Sequence, residues 1–137
     1  MSDTTLMPSI ALAATHSTPE VNFDFPTCRL LLKGEAYPEN AAAFFRPLLE
    51  AVENWLMDNA PSQPVAVHVA LSYFNSSSTK LLFEFFDCLN RFALTGIPCH
   101  LHWYYDAEDD ISEEFGQELS QDFPALHVSL IADLHAC

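Results

Sequence analysis

Apolar residues recur along this chain with two periods, and the two periods alternate. Val21, Phe23 and Phe25 are separated by Asn22 and Asp24, the period of two expected of a half-buried strand. Ile10 to Ala14 reads as a short strand before them. Cys28 to Lys33 follows closely enough to predict a hairpin. The stretch Gly34-Glu35-Ala36-Tyr37-Pro38-Glu39-Asn40 then punctuates the chain, and Pro38 with Glu39 suits a helix entry. From Asn40 to Asn59 the period becomes helical, with Phe44, Phe45, Leu48, Leu49, Val52, Trp55 and Leu56 on one side. Pro47 is expected to kink or split that helix. Ala60 to Pro64 reads as a turn.

The centre of the chain is 64–95. Pro64 to Phe74 predicts a buried strand, with Val65, Val67, Val69 and Leu71 facing one way and Ala66, His68, Ala70 and Ser72 the other. Asn75-Ser76-Ser77-Ser78-Thr79-Lys80 ends it, because Asn and Ser compete for backbone hydrogen bonds and cap helices. Asn75 or Ser76 is the expected N-cap. The following helix places Leu81, Leu82, Phe85, Phe86, Cys88, Leu89, Phe92 and Ala93 on one face and Lys80, Glu84, Asp87, Asn90 and Arg91 on the other. Phe83 breaks the pattern and projects to the polar side, on the stripe that carries Ser76, Lys80 and Asp87.

Thr95-Gly96-Ile97-Pro98 closes this helix, with Gly96 in the usual C-terminal place. Cys99 to Tyr105 reads as an aromatic-rich strand, Asp106 to Asp110 as an acidic loop, and Ile111 to Gln121 as a short helix interrupted by Gly116. Leu126 to Ile131 is the last predicted strand. From residue 28 onward strand and helix alternate, which predicts an α/β fold. Its central mixed, largely parallel sheet should have about five to six strands, an antiparallel edge and about three packed helices. Residues 1–8 are expected to form a loose tail and 9–137 one domain.

Composition changes this picture in two ways. Half the chain is apolar and eleven residues are Phe, enough for a real core. The net charge of −14 would repel nucleic acid and anionic membranes, so neither is an expected partner. A partner with a basic patch is. Cys28, Cys88, Cys99 and Cys137 are scattered without a C-x-x-C pair, which suits reduced thiols and the cytoplasm. No basic-then-apolar leader and no run long enough to span a bilayer is evident, so the chain reads as soluble and unexported.

Three groups of residues carry candidate chemistry. A helix N-terminus presents unpaired N–H groups and partial positive charge, so a phosphate on a serine of the 75–80 turn would find partners there, with Lys80 about one turn away. From these residues alone a plain capping turn is the commoner reading, because serine caps are frequent. His100 and His102 lie on one face of a strand, and His68 on another predicted strand could join them in a zinc site; a small metal-dependent enzyme is the alternative reading. Asp106, Glu108, Asp109 and Asp110 lack the glycine and spacing of an EF-hand and read as a partner-facing turn. There is no P-loop, no G-x-G-x-x-G and no G-x-S-x-G elbow, so neither a nucleotide cofactor nor serine catalysis is expected.

Taken together, Gly34-x-Ala36-Tyr37-Pro38-Glu39, Tyr73-Phe74-Asn75-Ser76-Ser77-Ser78-x-Lys80, and Trp103-x-Tyr105-Asp106 with its acidic loop and Gly116 resemble the SiaC-type biofilm-regulatory phosphoproteins. Thr18-Pro19-x-Val21-x-Phe23 agrees. The resemblance implies a fold like the anti-sigma-factor antagonists (STAS domains) and a non-enzymatic switch without a cofactor or a bound metal. It implies a serine/threonine kinase that phosphorylates the residue after the Asn, a PP2C-type phosphatase that reverses this, and a diguanylate cyclase activated by the unphosphorylated form. Cyclic di-GMP and biofilm formation or aggregation are the implied outputs. The matching acceptor is Ser76. The family pattern Asn-Thr-Ser-Ser reads Asn-Ser-Ser-Ser here, which leaves Ser77 open as a second acceptor; Ala36 replaces a usual serine. Asn75, Ser76, Ser77, Lys80, Phe83 and Asp87 are the expected partner-binding residues.

Overall fold

The computed structural model describes residues 9–58, 61 and 63–137. The expected loose segment 1–8 lies outside the described residues, as do Asn59, Ala60 and Ser62 of the helix end and turn. Ten elements follow in order: β1 (Ile10–Leu12), β2 (Glu20–Asp24), β3 (Arg29–Ala36), α1 (Ala41–Asp58), β4 (Val65–Phe74), α2 (Ser76–Leu94), β5 (Cys99–Tyr104), α3 (Asp110–Asp122), β6 (His127–Ile131) and a 3-10 turn, Leu134–Ala136.

The six strands form one sheet in sequential order. β1, β2 and β3 pair antiparallel, and β3 to β6 pair parallel. The expected mixed sheet with an antiparallel edge is therefore what forms. Each helix carries the chain one strand further in the same direction. Right-handed crossovers then place α1, α2 and α3 on the same face of the sheet. Leu30, Leu32, Val67, Val69, Leu71, Leu101 and Trp103 are buried beneath them, with Phe45, Val52, Trp55, Leu82, Phe85, Phe86 and Leu119 from the helices. The opposite face carries the alternate residues; the 3-10 turn packs on it near β4 and β5, and Lys33 of β3 donates to the Cys137 carbonyl there.

The tight β2–β3 connection is made by Cys28 rather than by a strand residue. Its φ of 59° is left-handed, and its N–H donates to the Phe25 carbonyl. Gly34 has φ 129° where the β3–β4 register shifts, and an added Cβ would meet the Pro19 backbone at 3.4 Å. The positive φ strains any other side chain there, whereas the contact with Pro19 is an ordinary one.

Neither Pro47 nor Gly116 splits its helix. Pro47 lies inside α1, yet the helix continues through it. Pro47 and Ala43 are exposed, so the Ala43 carbonyl that loses its helical donor can be hydrated. Gly116 does not break α3 either. It is buried against β5, where an added Cβ would stand 2.6 Å from Trp103 Cδ1. The glycine serves close packing of helix on sheet, not a turn.

Candidate functional site

The C-terminal ends of the parallel strands β4 and β5 open on one sheet edge, and the serine turn and the acidic loop both lie there. The chain leaves β4 at Phe74 and enters α2 directly. Asn75 is the N-cap: its Oδ1 accepts from the Ser78 N–H at 2.9 Å, and its carbonyl accepts from the Thr79 N–H at 2.9 Å. The Asn75 N–H in turn donates to the Ala36 carbonyl on β3, at 3.0 Å. The cap is thus tied to the sheet, and the helix start has a defined position.

This geometry sorts the three serines. Ser76 and Ser77 are exposed in the first turn of α2, where their own N–H groups have no helical carbonyl to reach. Ser78 is 0 % exposed and its hydroxyl has no hydrogen-bond partner. No kinase can reach Ser78 without opening the helix. The sequence alone treats the three hydroxyls alike; only packing separates them. The first turn of α2 also contains no acidic residue, in a chain with nineteen of them. The helix dipole there is left uncompensated, with exposed Lys80 one turn on.

The exposed stripe expected along α2 is divided. Asp87 is exposed and pairs with Arg91 at 3.2 Å, beside a groove between α1 and α2 where Arg46 pairs with Glu84 at 3.0 Å. Phe83 is not a free aromatic on that stripe. It is half-buried, with its ring centroid 5.3 Å from Phe115 and 6.0 Å from Phe123 of the α3 layer. A helical wheel cannot register a third helix packing against the wheel's polar side, which is why the expectation failed. Truncating Phe83 therefore removes core packing together with any contact to a partner.

Across the edge, Asp109 caps α3 by accepting from the Ser112 N–H at 3.1 Å. The Ser112 carbonyl accepts from Trp103 Nε1 at 2.9 Å, which pins the first turn of α3 to β5. Asp106 Oδ1 accepts from the Glu108 N–H at 2.9 Å. The acidic loop is a hydrogen-bonded turn. Tyr73 and Ile111 stand beside it, both exposed, and neither is among the residues expected to bind a partner. The available signal was Ile111 itself, an apolar residue between Asp110 and Ser112 in a polar run.

The histidines do meet, on the face away from the helices. His68 pairs with His102 across β4–β5, and their rings stack with centroids 4.4 Å apart and planes 4° apart; His100 stacks on His102 at 4.0 Å. His68 Nδ1 shares a hydrogen bond with Tyr104 Oη at 2.8 Å, and His100 Nε2 with Ser129 Oγ at 2.7 Å. Stacked rings hold their nitrogens side by side and do not converge on a common point. Among the described residues, no group of three or more His, Cys, Asp or Glu is placed to hold a metal.

Burial, then His102, Arg29 and His100, push the His68 pKa down to about 4; burial and His100 also lower that of His102. A folded-state pKa below the unfolded value near 6.5 means the neutral ring is favoured by folding. That contribution is complete above pH 6.5 and is lost as pH falls toward 4. His68→Gln, which can still bond Tyr104, is expected to lose less melting temperature than the wild type between pH 7 and pH 4. Parallel pH profiles for the two proteins would remove the histidine stack as the cause.

Cys88 and Cys99 are unsuited to nucleophilic work. Burial, with Glu53, pushes Cys88 up to about 11, and burial pushes Cys99 up to about 12. All four cysteines are free. Among the described residues no helix is long and apolar enough to cross a membrane.

Comparison with known proteins places this geometry in a family. A family model described as SiaC family regulatory phosphoprotein matches residues 12–133. An uncharacterized protein of Pseudomonas aeruginosa strain UCBPP-PA14 is 31% identical over 116 residues, covering 85% of this chain and 90% of that one. The crystal structure of apo-SiaC from Pseudomonas aeruginosa superposes with a TM-score of 0.84 at 29% identity, covering 92% of this chain and 100% of that one. SiaC bound to the diguanylate cyclase SiaD, which it activates in that organism, superposes with a TM-score of 0.82 at 29% identity, covering 89% and 98%. The six-stranded mixed sheet with its three helices thus matches the SiaC structures, and the chain belongs to the SiaC family of regulatory phosphoproteins.

Proposed function

We propose that this chain is a non-enzymatic phospho-switch whose state is written on Ser76. A serine/threonine kinase adds the phosphate and a PP2C-type phosphatase removes it. The unmodified form binds and activates a diguanylate cyclase in the cytoplasm, raising cyclic di-GMP and promoting biofilm formation or aggregation. Asn75, Ser76, Ser77, Lys80, Phe83 and Asp87 form the partner-facing side of α2 in this reading, with Phe83 contributing its half-exposed edge.

The observation that carries the proposal is the contrast within one turn. Ser76 offers an exposed hydroxyl at a helix start free of acidic residues, whereas Ser78 two positions later is sealed in the core. A phosphate on Ser76 gains N–H donors and the dipole, so the fold tolerates it. It adds a charge of about −1.5 to −2 to a surface that a partner must desolvate. The crystal complex of SiaD with SiaC in Pseudomonas aeruginosa gives the cyclase as the partner class. The four free thiols agree with a reducing compartment.

The test is mass spectrometry after incubation with the cognate kinase and ATP. One phosphate on Ser76 is the expected result, and Ser76→Ala should remove it. A phosphate confined to Ser77 would move the switch by one residue. Absence of phosphate anywhere on 75–80 would remove the switch altogether.

A further inference from the structure

The sheet edge beside the serine turn carries a second feature that phosphorylation does not use. The end of β4 and the start of α3 enclose a cleft of about 250 Å³ lined by Ser72, Tyr73, Phe74, Asp109, Ile111 and Ser112. Tyr73 is 53 % exposed and Ile111 is 78 % exposed. Both are large apolar groups left in water at the mouth of a cleft, and Tyr73 is steadied edge-on by Tyr37 at 5.6 Å. On the floor is Ser112, 3 % exposed, whose hydroxyl has no hydrogen-bond partner. Contiguous exposed apolar surface of this kind marks an interaction site.

This cleft shares Ser72 and Asp109 with a neighbouring basin of about 550 Å³ whose other lining residues are Leu71, Asp106, Glu108 and Leu134. The basin is acidic, and no basic side chain lines it. Arg46 and Arg91 are committed to Glu84 and Asp87, Lys33 donates to the Cys137 carbonyl at 3.3 Å, and neither Arg29 nor Lys80 lines the basin. Asp106 and Asp109 each accept a backbone N–H. Among the described residues neither has a cationic side chain as partner. An apolar shelf thus opens into negative charge that the chain does not neutralise.

We propose that this double cleft is a docking socket for a partner segment that presents an arginine next to an aliphatic residue. The aliphatic side chain lies on Tyr73 and Ile111, and the guanidinium enters the basin of Asp106, Glu108 and Asp109. Charge complementarity selects the cation, because a chain of net charge −14 supplies no competing positive group there. Arginine suits the place better than lysine: it is more weakly hydrated, and its planar fork of donors matches carboxylate oxygens in pairs. The socket rests on the reading of this chain as a partner-binding switch and adds where on the edge the partner is held and by what chemistry. Ser76 lines neither cleft, so the two ideas can fail separately.

The probe is the peptide acetyl-Leu-Arg-Leu-amide, titrated into the full chain and followed by amide chemical shifts. Expected are shifts confined to the surroundings of Tyr73, Asp109, Ile111 and Ser112. Affinity should fall at least fivefold when citrulline replaces arginine, when salt is raised about tenfold, and in Asp109→Asn. Asparagine keeps the helix cap, so that variant removes charge without removing structure. Ile111→Ser, at an exposed position, should weaken binding while leaving the melting temperature in place. Shifts absent from this edge, or equal binding of the citrulline peptide, overturn the socket. Binding here with no phosphorylation of Ser76 would leave the socket standing and remove the switch; the opposite pattern would do the reverse.

Discussion

On the proposed reading, Ser76→Asp is expected to weaken binding of a diguanylate cyclase by about tenfold or more, and full phosphorylation by more than about a hundredfold. In that reading a partner meeting the start of α2 encounters a neutral, exposed hydroxyl. Replacing it with a charge forces desolvation of that charge at the contact. An uncompensated cost of about 3 kcal/mol is already a loss of more than a hundredfold. The fold itself should not suffer. An acid in the first turn of a helix is favourable by about 0.3–1 kcal/mol, and the present first turn has none. Ser76→Asp should therefore bind less tightly while melting at the same temperature or slightly higher. Ser76→Ala should bind the cyclase within a few-fold of the wild type and accept no phosphate. Calorimetric titration of the cyclase with the wild type and the two variants, alongside thermal melts, makes the distinction. Equal affinities for the wild type and the Ser76→Asp variant would end the electrostatic account. A lower melting temperature for the aspartate variant would trace weak binding to a damaged fold instead.

Gly116→Val should lower stability by about 3 kcal/mol, the upper range for overpacking a core, and the melting temperature by roughly 10 °C. The first added carbon already stands 2.6 Å from Trp103 Cδ1 and 3.0 Å from Leu130 Cδ2. Trp103 is fully buried, and it cannot retreat. Its Nε1 is bonded to the Ser112 carbonyl, Phe115 stacks on it at 5.0 Å, and Phe74 and Phe86 meet it edge-on at 5.8 and 6.4 Å. α3 must then lift from the sheet. Gly116→Ala should be milder, because alanine recovers about 1 kcal/mol of helix propensity while causing the same first clash. An unchanged melting temperature for the valine variant would show that α3 has room to shift. The effect should reach function too. Phe83 leans on Phe115 and Phe123, and the acidic edge depends on where α3 begins.

The elements of this protein were legible in order because each carries its own period. Strands β2 and β4 alternate, α2 repeats its apolar face every three to four residues, and the strand-helix alternation implies right-handed crossovers. Asn75 and the serines announced a helix start for the same local reason: capping is a matter of neighbouring residues. What the periods could not carry is the effect of one element on another. Pro47 and Gly116 are strong punctuation in a sequence, yet α1 and α3 pass through both. In the first case the orphaned carbonyl lies on an exposed face of the helix, open to hydration; in the second an indole occupies the space where a side chain would stand.

The candidate site divides along the same line. The amino-acid sequence by itself determined which residues could cap, carry a phosphate or hold charge, since those are properties of side-chain chemistry and near neighbours. Tertiary structure alone decided which serine is sealed and which is open, that Phe83 is wedged against α3, and that three histidines stack rather than converge. It also brought Tyr73 and Ile111 together at an acidic edge. Exposure and contact are set by residues far apart in the chain, and only a folded sheet with its helices in place fixes those distances.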